Sequence, residues 1–152
     1  MAEPVVRYSF TVAAPPAAVW EAWSTEAGLR TFFAPAARIE LRTFGRFDIH
    51  FDPDAAAGNK RAEGNLVLAV EPGRMLTTTW DAPPEFPSIR SQRTFLQVSL
   101  APNADGTTRV TLTQTGFGTS PEWLKVHLFS WRLELGGGSA ATAIRNRPTG
   151  RE

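Results

Sequence analysis

Apolar and polar residues alternate from Val5 to Val12, with Val6, Tyr8, Phe10 and Val12 on one side. That period of two marks a half-buried strand over 5–12. Pro15 and Pro16 stop it, and Val19, Trp20 and Trp23 then recur at helical spacing, which predicts a short helix over 17–24 with proline in its first turn. Thr25 has the character of an N-cap for a second helix. Glu26 falls in the first turn of that helix, Leu29, Phe32 and Phe33 repeat at three and four residues, and Pro35 ends it. From Arg38 the period returns to two and holds as far as Phe117. Strands are predicted at 37–43, 45–52, 62–71, 75–82, 92–101 and 108–117, an antiparallel meander whose turns are rich in Gly, Pro, Asn and Asp. A last helix is predicted from Ser120, an N-cap candidate followed by Pro121 and Glu122. Leu124, Leu128, Trp131 and Leu135 form its apolar stripe. Gly136, Gly137 and Gly138 weaken or end it, since each costs about 1 kcal/mol relative to alanine in a helix interior, and the tail 136–152 is expected to fray.

One face of the predicted strands collects Ile39, Leu41, Phe47, Ile49, Phe51, Leu66, Leu68, Val70, Leu76, Trp80, Leu96, Val98, Leu100, Val110 and Leu112. The other is largely Asp, His, Thr, Glu and Ser. A sheet apolar on one face must be covered there, and the long amphipathic element available is the helix after Ser120. One helix does not cover seven flat strands. The sheet is therefore expected to curve round it and to leave space against the helix, a candidate pocket.

Composition narrows the function classes. With 152 residues, 42% of them hydrophobic, the chain suffices for one sizeable core, so a single α+β domain over 1–152 with its core at 5–135 is expected. Sixteen Lys and Arg against fifteen Asp and Glu give a net charge of +1, with the basic residues scattered. Neither nucleic acid nor an acidic membrane surface is an expected partner, because counterion release rewards a clustered patch. Without cysteine, disulfides, thiolate nucleophiles and thiolate-bound metals are excluded. No leader-like apolar segment or membrane-length run is present, so the chain is read as cytoplasmic. Ten Phe and five Trp make a heavy aromatic load.

Several blocks, in order, carry a family resemblance. Pro16-Ala17-Ala18-Val19-Trp20-Glu21-Ala22-Trp23 and Leu29-Arg30-Thr31-Phe32-Phe33-Ala34-Pro35 open the chain. Gly45-Arg46-Phe47 and the stretch from Glu63-Gly64-Asn65-Leu66 through Glu71-Pro72-Gly73-Arg74-Met75-Leu76 to Thr79-Trp80 follow, and Thr108 to Phe117 closes the sheet. Together they resemble the activator-of-heat-shock-protein-ATPase homologue (AHSA-like) branch of the SRPBCC (START-related) superfamily, over roughly residues 5–135. The resemblance implies a helix-grip fold: a curved seven-stranded antiparallel sheet wrapped round a long C-terminal helix, with two short helices between strands one and two. It also implies a cavity that in related branches holds apolar small molecules, while some eukaryotic relatives act on a chaperone ATPase. The triple glycine departs from a helix that is usually uninterrupted.

Candidate chemistry is sparse. His50 and His127 stand far apart with no HExxH-type partner, so neither a metal nor a catalytic set is expected. His50 reads as an outward strand residue, whereas His127, one turn after Trp123, could face the cavity. No phosphate-binding glycine loop and no serine in a nucleophile elbow appear. The candidate cavity lining is Phe32, Phe33, Phe51, Trp80, Phe117, Trp123, His127 and Trp131, with Arg93 and Gln114 as polar anchors inside it or at its mouth. The leading expectation is binding of a small apolar or aromatic molecule without cofactor or covalent chemistry. A cyclase- or hydrolase-like enzyme using His127, with Arg93 orienting an acidic substrate, ranks second. A chaperone-associated interaction domain ranks third, and an exposed strand edge would permit a homodimer.

Overall fold

The computed structural model describes residues 5–51, 53–56, 62–81 and 92–118. In chain order it contains β1 (Val6–Val12), α1 (Pro16–Ser24), α2 (Glu26–Phe32), β2 (Ala36–Ile39), β3 (Phe47–His50), β4 (Val67–Glu71), β5 (Met75–Trp80), β6 (Thr94–Pro102) and β7 (Thr108–Thr115). The architecture is α+β with antiparallel pairing in every ladder. Five strands run in the order β1-β7-β6-β5-β4, and β2-β3 pair separately. Backbone bonds join the two units: Phe47 N–H donates to Asn65 O (2.8 Å), Val67 N–H to Gly45 O (2.9 Å) and Ile49 N–H to Ala62 O (2.9 Å). The pair thus continues the sheet beyond β4. The expected helix from Ser120 lies outside the described residues.

The helical entry follows from its local chemistry. Pro16 occupies the first position of α1, where its missing N–H costs nothing. Thr25 caps α2 as its sequence position predicts, its Oγ1 accepting from Gly28 N–H at 2.9 Å. Gly28 is also where the two helices meet. A Cβ there would lie 2.6 Å from both Cα and O of Ala22, which are backbone atoms that cannot swing aside. Gly28→Ala is therefore expected to destabilise the protein by about 1–2 kcal/mol, overpacking outweighing the roughly 1 kcal/mol of helix propensity gained. A urea titration of the variant that showed no loss would mean that α1 and α2 shift freely against each other.

Two departures from strict alternation have identifiable causes. β2 is shorter than predicted because Arg42 N–H bonds to Glu40 O and Gly45 N–H to Arg42 O, each at 2.8 Å, so the chain turns before Leu41 can face inward. Leu41 is accordingly 41% exposed. In β4 the register shifts between Val67 and Ala69, so that Val67 pairs with Thr78 and Val70 with Leu76. The bulge changes the phase of the strand, burying Val67 completely and leaving Leu66 exposed on the opposite face. The inward set Leu66, Leu68, Val70 read from the sequence is thus corrected to Val67 and Val70.

Candidate functional site

Cross-strand partners lay the inward face out in rows. One row runs Val70, Leu76, Val98, Leu112, Tyr8, and is wholly apolar apart from the tyrosine hydroxyl. The next runs Val67, Thr78, Leu96, Gln114, Val6 and brings in two polar side chains. Beyond it Trp80 pairs with Thr94. The face is therefore graded, aliphatic along most of its length and hydroxyl- and amide-bearing at the Trp80 end.

The polar groups at that end are deeply buried: Thr94 is fully enclosed, Gln114 is 1% exposed and Thr78 2%. Gln114 Nε2 donates to Thr94 Oγ1 (2.8 Å), which in turn donates to Trp80 O (3.1 Å). Thr78 Oγ1 has no hydrogen-bond partner among the described residues, nor does Trp23 Nε1. Buried polar atoms are nearly always paired, so both are exceptions. The inward face carries no Asp, Glu, Lys, Arg or His among the described residues.

A wall of rings closes the same end. Trp23 meets Phe32 and Phe33 at centroid separations of 5.0 and 5.5 Å, Phe32 and Phe33 lie 5.8 Å apart, and Phe33 meets Phe51 at 5.3 Å and Trp80 at 6.4 Å. The helices α1 and α2 supply Trp23 and Phe32, Phe33 follows α2 directly, and the strand region supplies Phe51 and Trp80. Their tilted and edge-on arrangement is the favourable one for π systems. Trp23, Phe33 and Trp80 are buried, whereas Phe32 and Phe51 are half-buried and form the outer margin.

The opposite side of the sheet is polar and internally paired. Arg93 lies 3.1 Å from Asp81 Oδ2 and donates to Asn65 Oδ1 and Glu63 O, both at 3.1 Å. Asn65 Nδ2 donates to Asp81 Oδ1 (3.1 Å), and Thr79 Oγ1 to Asn65 Oδ1 (3.1 Å). Nearby, buried Asp48 accepts from Gly64 N–H (2.6 Å) and pairs with Arg46 (2.7 Å). Arg46, Asp48, His50, Glu63, Gly64, Asn65 and Leu66 line a crevice of about 310 Å³ on this side. No group of three metal-ligating side chains forms among the described residues. Asp105, in the β6–β7 turn at the far end of β6, has its carboxyl held below the ordinary range by the hydroxyl and N–H of Thr107.

The family described as "Activator of Hsp90 ATPase homolog 1-like protein" matches residues 13–137. The chain belongs to this family. Solved structures with the same fold include protein MLL2253 of Mesorhizobium loti (21% identity, 93% of this chain and 94% of that one, TM-score 0.65). An AHSA1-like protein of Rhizobium etli shares 23% identity over 99% and 91% of the two chains, with a TM-score of 0.64. An HSP90 activator of Plasmodium falciparum is also similar, at 12% identity over 92% of each chain and a TM-score of 0.62. No curated protein matches the chain. Family membership accords with the resemblance carried by the opening aromatic helices and the Gly64 to Trp80 stretch, and at these identities the structural likenesses speak to the fold alone.

Of the residues singled out from the sequence, the structure gathers Phe32, Phe33, Phe51 and Trp80 into one wall, with Gln114 inward beside it. Phe117 is fully buried, and its carbonyl accepts from Gln92 Nε2 at 3.2 Å. Arg93 is on the other side of the sheet, one position out of phase with inward Thr94 and tied to Asp81. It is not an anchor within the apolar space. Trp123, His127 and Trp131 lie outside the described residues. His50 falls outward, as its parity predicts, in the crevice beside Asp48. Sequence reading overlooked Thr78 and Trp23 as polar groups. Thr78 stands between Leu76 and Trp80 at inward parity, and that signal was available.

Proposed function

We propose that the domain binds a small apolar or aromatic molecule against its inward face, between the sheet and the helix expected from Ser120. The observation that carries this reading is the five-ring wall at one end of that face. Its deeper rings are buried and its outer two, Phe32 and Phe51, are half-buried, so a flat molecule could enter past them and stack within. The helix-grip arrangement of the family, in which a curved sheet closes on a long C-terminal helix, supports the same reading. Binding needs no acid, base or nucleophile, and the inward face carries no Asp, Glu, Lys, Arg or His among the described residues. An enzymatic use of the same space would rest on His127.

Native mass spectrometry of the purified protein beside its denatured mass, followed by a thermal-shift screen of aromatic and fatty compounds, tests this. A ligand at a hundred times its Kd should stabilise the protein by about 2.7 kcal/mol, a rise in Tm on the order of 5–10 °C for a chain of this size. No retained mass and no shift across the screen would overturn the proposal.

A second reading, action on a chaperone, is favoured by the family's description and by apolar exposure on the polar side. Leu66 and Phe95, 38% and 46% exposed, flank Thr79, which pairs with Phe95 and donates its N–H to Leu66 O at 2.9 Å. Stimulation of an Hsp90 ATPase that is lost in Phe95→Glu would support this alternative, and an unchanged ATPase rate would remove it.

A further inference from the structure

The inward face states more about its occupant than that it is apolar. Trp23 Nε1 is a donor only, and it sits in a residue that is 2% exposed with no acceptor among the described residues. Thr78 Oγ1 repeats the situation two residues from Trp80 on the same face of β5. Both residues belong to the ring-wall end of the face, since Trp23 packs on Phe33, Phe33 on Trp80, and Thr78 precedes Trp80 at the same parity. A donor buried without an acceptor costs free energy in the empty protein, and an arriving acceptor recovers it. An acceptor that also carried a full charge would meet no countercharge on this face, and its desolvation would go uncompensated.

We infer that the occupant is a neutral ring compound bearing a carbonyl oxygen, which accepts a hydrogen bond from the Thr78 hydroxyl or the Trp23 indole N–H while its rings stack on the wall formed by Phe33 and Trp80. This rests on the binding function proposed above and specifies the chemical class of ligand. The gradient along the sheet sets the orientation: the carbonyl end lies toward Thr78 and Gln114, and the hydrocarbon end along the row of Leu76, Val98 and Leu112.

Matched probes of two sizes separate the possibilities. Affinities of the full chain for tetralin, 1-tetralone and 1,2,3,4-tetrahydro-1-naphthoate, and for fluorene and 9-fluorenone, are read by quenching of tryptophan fluorescence and by calorimetry. Each ketone is expected to bind about tenfold more tightly than its hydrocarbon, the worth of one well-made hydrogen bond, and the carboxylate more weakly than either. In Thr78→Val or in Trp23→Phe the ratio of ketone to hydrocarbon affinity should fall to about one, whatever the change in hydrocarbon affinity itself, and the variant in which it does so identifies the donor. Thr78→Val conserves shape, whereas Trp23→Phe leaves a cavity and is expected to lower Tm, so a single cooperative thermal transition is the check that each variant is folded. Equal binding of ketone and hydrocarbon by the natural chain, or a preference that survives in both variants, overturns this inference and leaves the binding function standing. Failure of every probe to bind overturns both.

Discussion

Phe33→Ala is expected to lower stability by about 3–5 kcal/mol, the range for emptying a buried aromatic site, and to abolish binding of flat ligands. The size of the effect comes from position. Phe33 immediately follows α2, accepts ring contacts from Trp23, Phe32, Phe51 and Trp80, and is only 7% exposed. Its N–H also closes the helix on Leu29 O at 2.8 Å, and that bond survives the substitution, so the loss reports on the ring. Removing the ring unties the helical hairpin from the sheet at the point where they share one cluster. Phe32→Ala, at the half-buried margin, should cost less than half as much. Chemical denaturation of both variants checks the ratio, and equal losses would show that the wall has no centre.

Arg93→Ala should destabilise the protein by about 3 kcal/mol, the lower end of the range for orphaning a buried charge, because Arg93 is itself 38% exposed and part of its work falls to water. Asp81 is the reason for the cost. Its side chain is 2% exposed, and Arg93→Ala removes a charge partner from it while the amide of Asn65 remains. The comparison pair is Arg42 and Glu40, shorter at 2.9 Å but 66% and 45% exposed. Arg42→Ala should cost well under 1 kcal/mol, since exposed pairs are screened and pay side-chain entropy. Replacing Asp81 and Arg93 together by Leu and Met should recover much of the loss, which a double-mutant cycle in urea would measure. A cost near zero for Arg93→Ala would mean that the remaining partners of Asp81 suffice to hold it.

The contrast between these two clusters shows what the sequence makes legible. The inward rings announce themselves, since Leu29, Phe32 and Phe33 repeat at helical spacing and Trp80 follows Leu76 at even parity, and periodicity alone brings them to one side. Thr25, with Glu26 in the turn that follows it, reads directly as a cap, and its Oγ1 accepts from Gly28 N–H. The polar network on the opposite side does not read out. Asn65, Asp81 and Arg93 come from three separate segments whose alignment depends on a bulge, and a bulge leaves no mark in an alternation that already contains Leu66, Val67, Leu68 and Val70 in succession. Parity assigned Leu66 inward, and the extra residue reversed it. Arg93 stands next to inward Thr94, so its outward place depends on strand phase, and its partner Asp81 carries no sequence signal of being buried. No helix of the described residues is long and apolar enough to cross a membrane.

Edge closure follows from a contact between α2 and β2. Glu26, in the first turn of α2, accepts from the N–H of Ile39 at 3.0 Å, while the neighbouring Glu40 N–H points the other way, to Arg46 O at 2.9 Å. The carboxylate thus occupies an outward-facing donor of β2, the terminal strand at that end of the sheet. At the other end β1 pairs with β7 on one side and with no further strand among the described residues. A sheet with one open margin can at most dock a second molecule and stop, whereas a sheet open at both margins can add copies without limit. Among the described residues a single carboxylate thus blocks strand addition at one margin of the sheet.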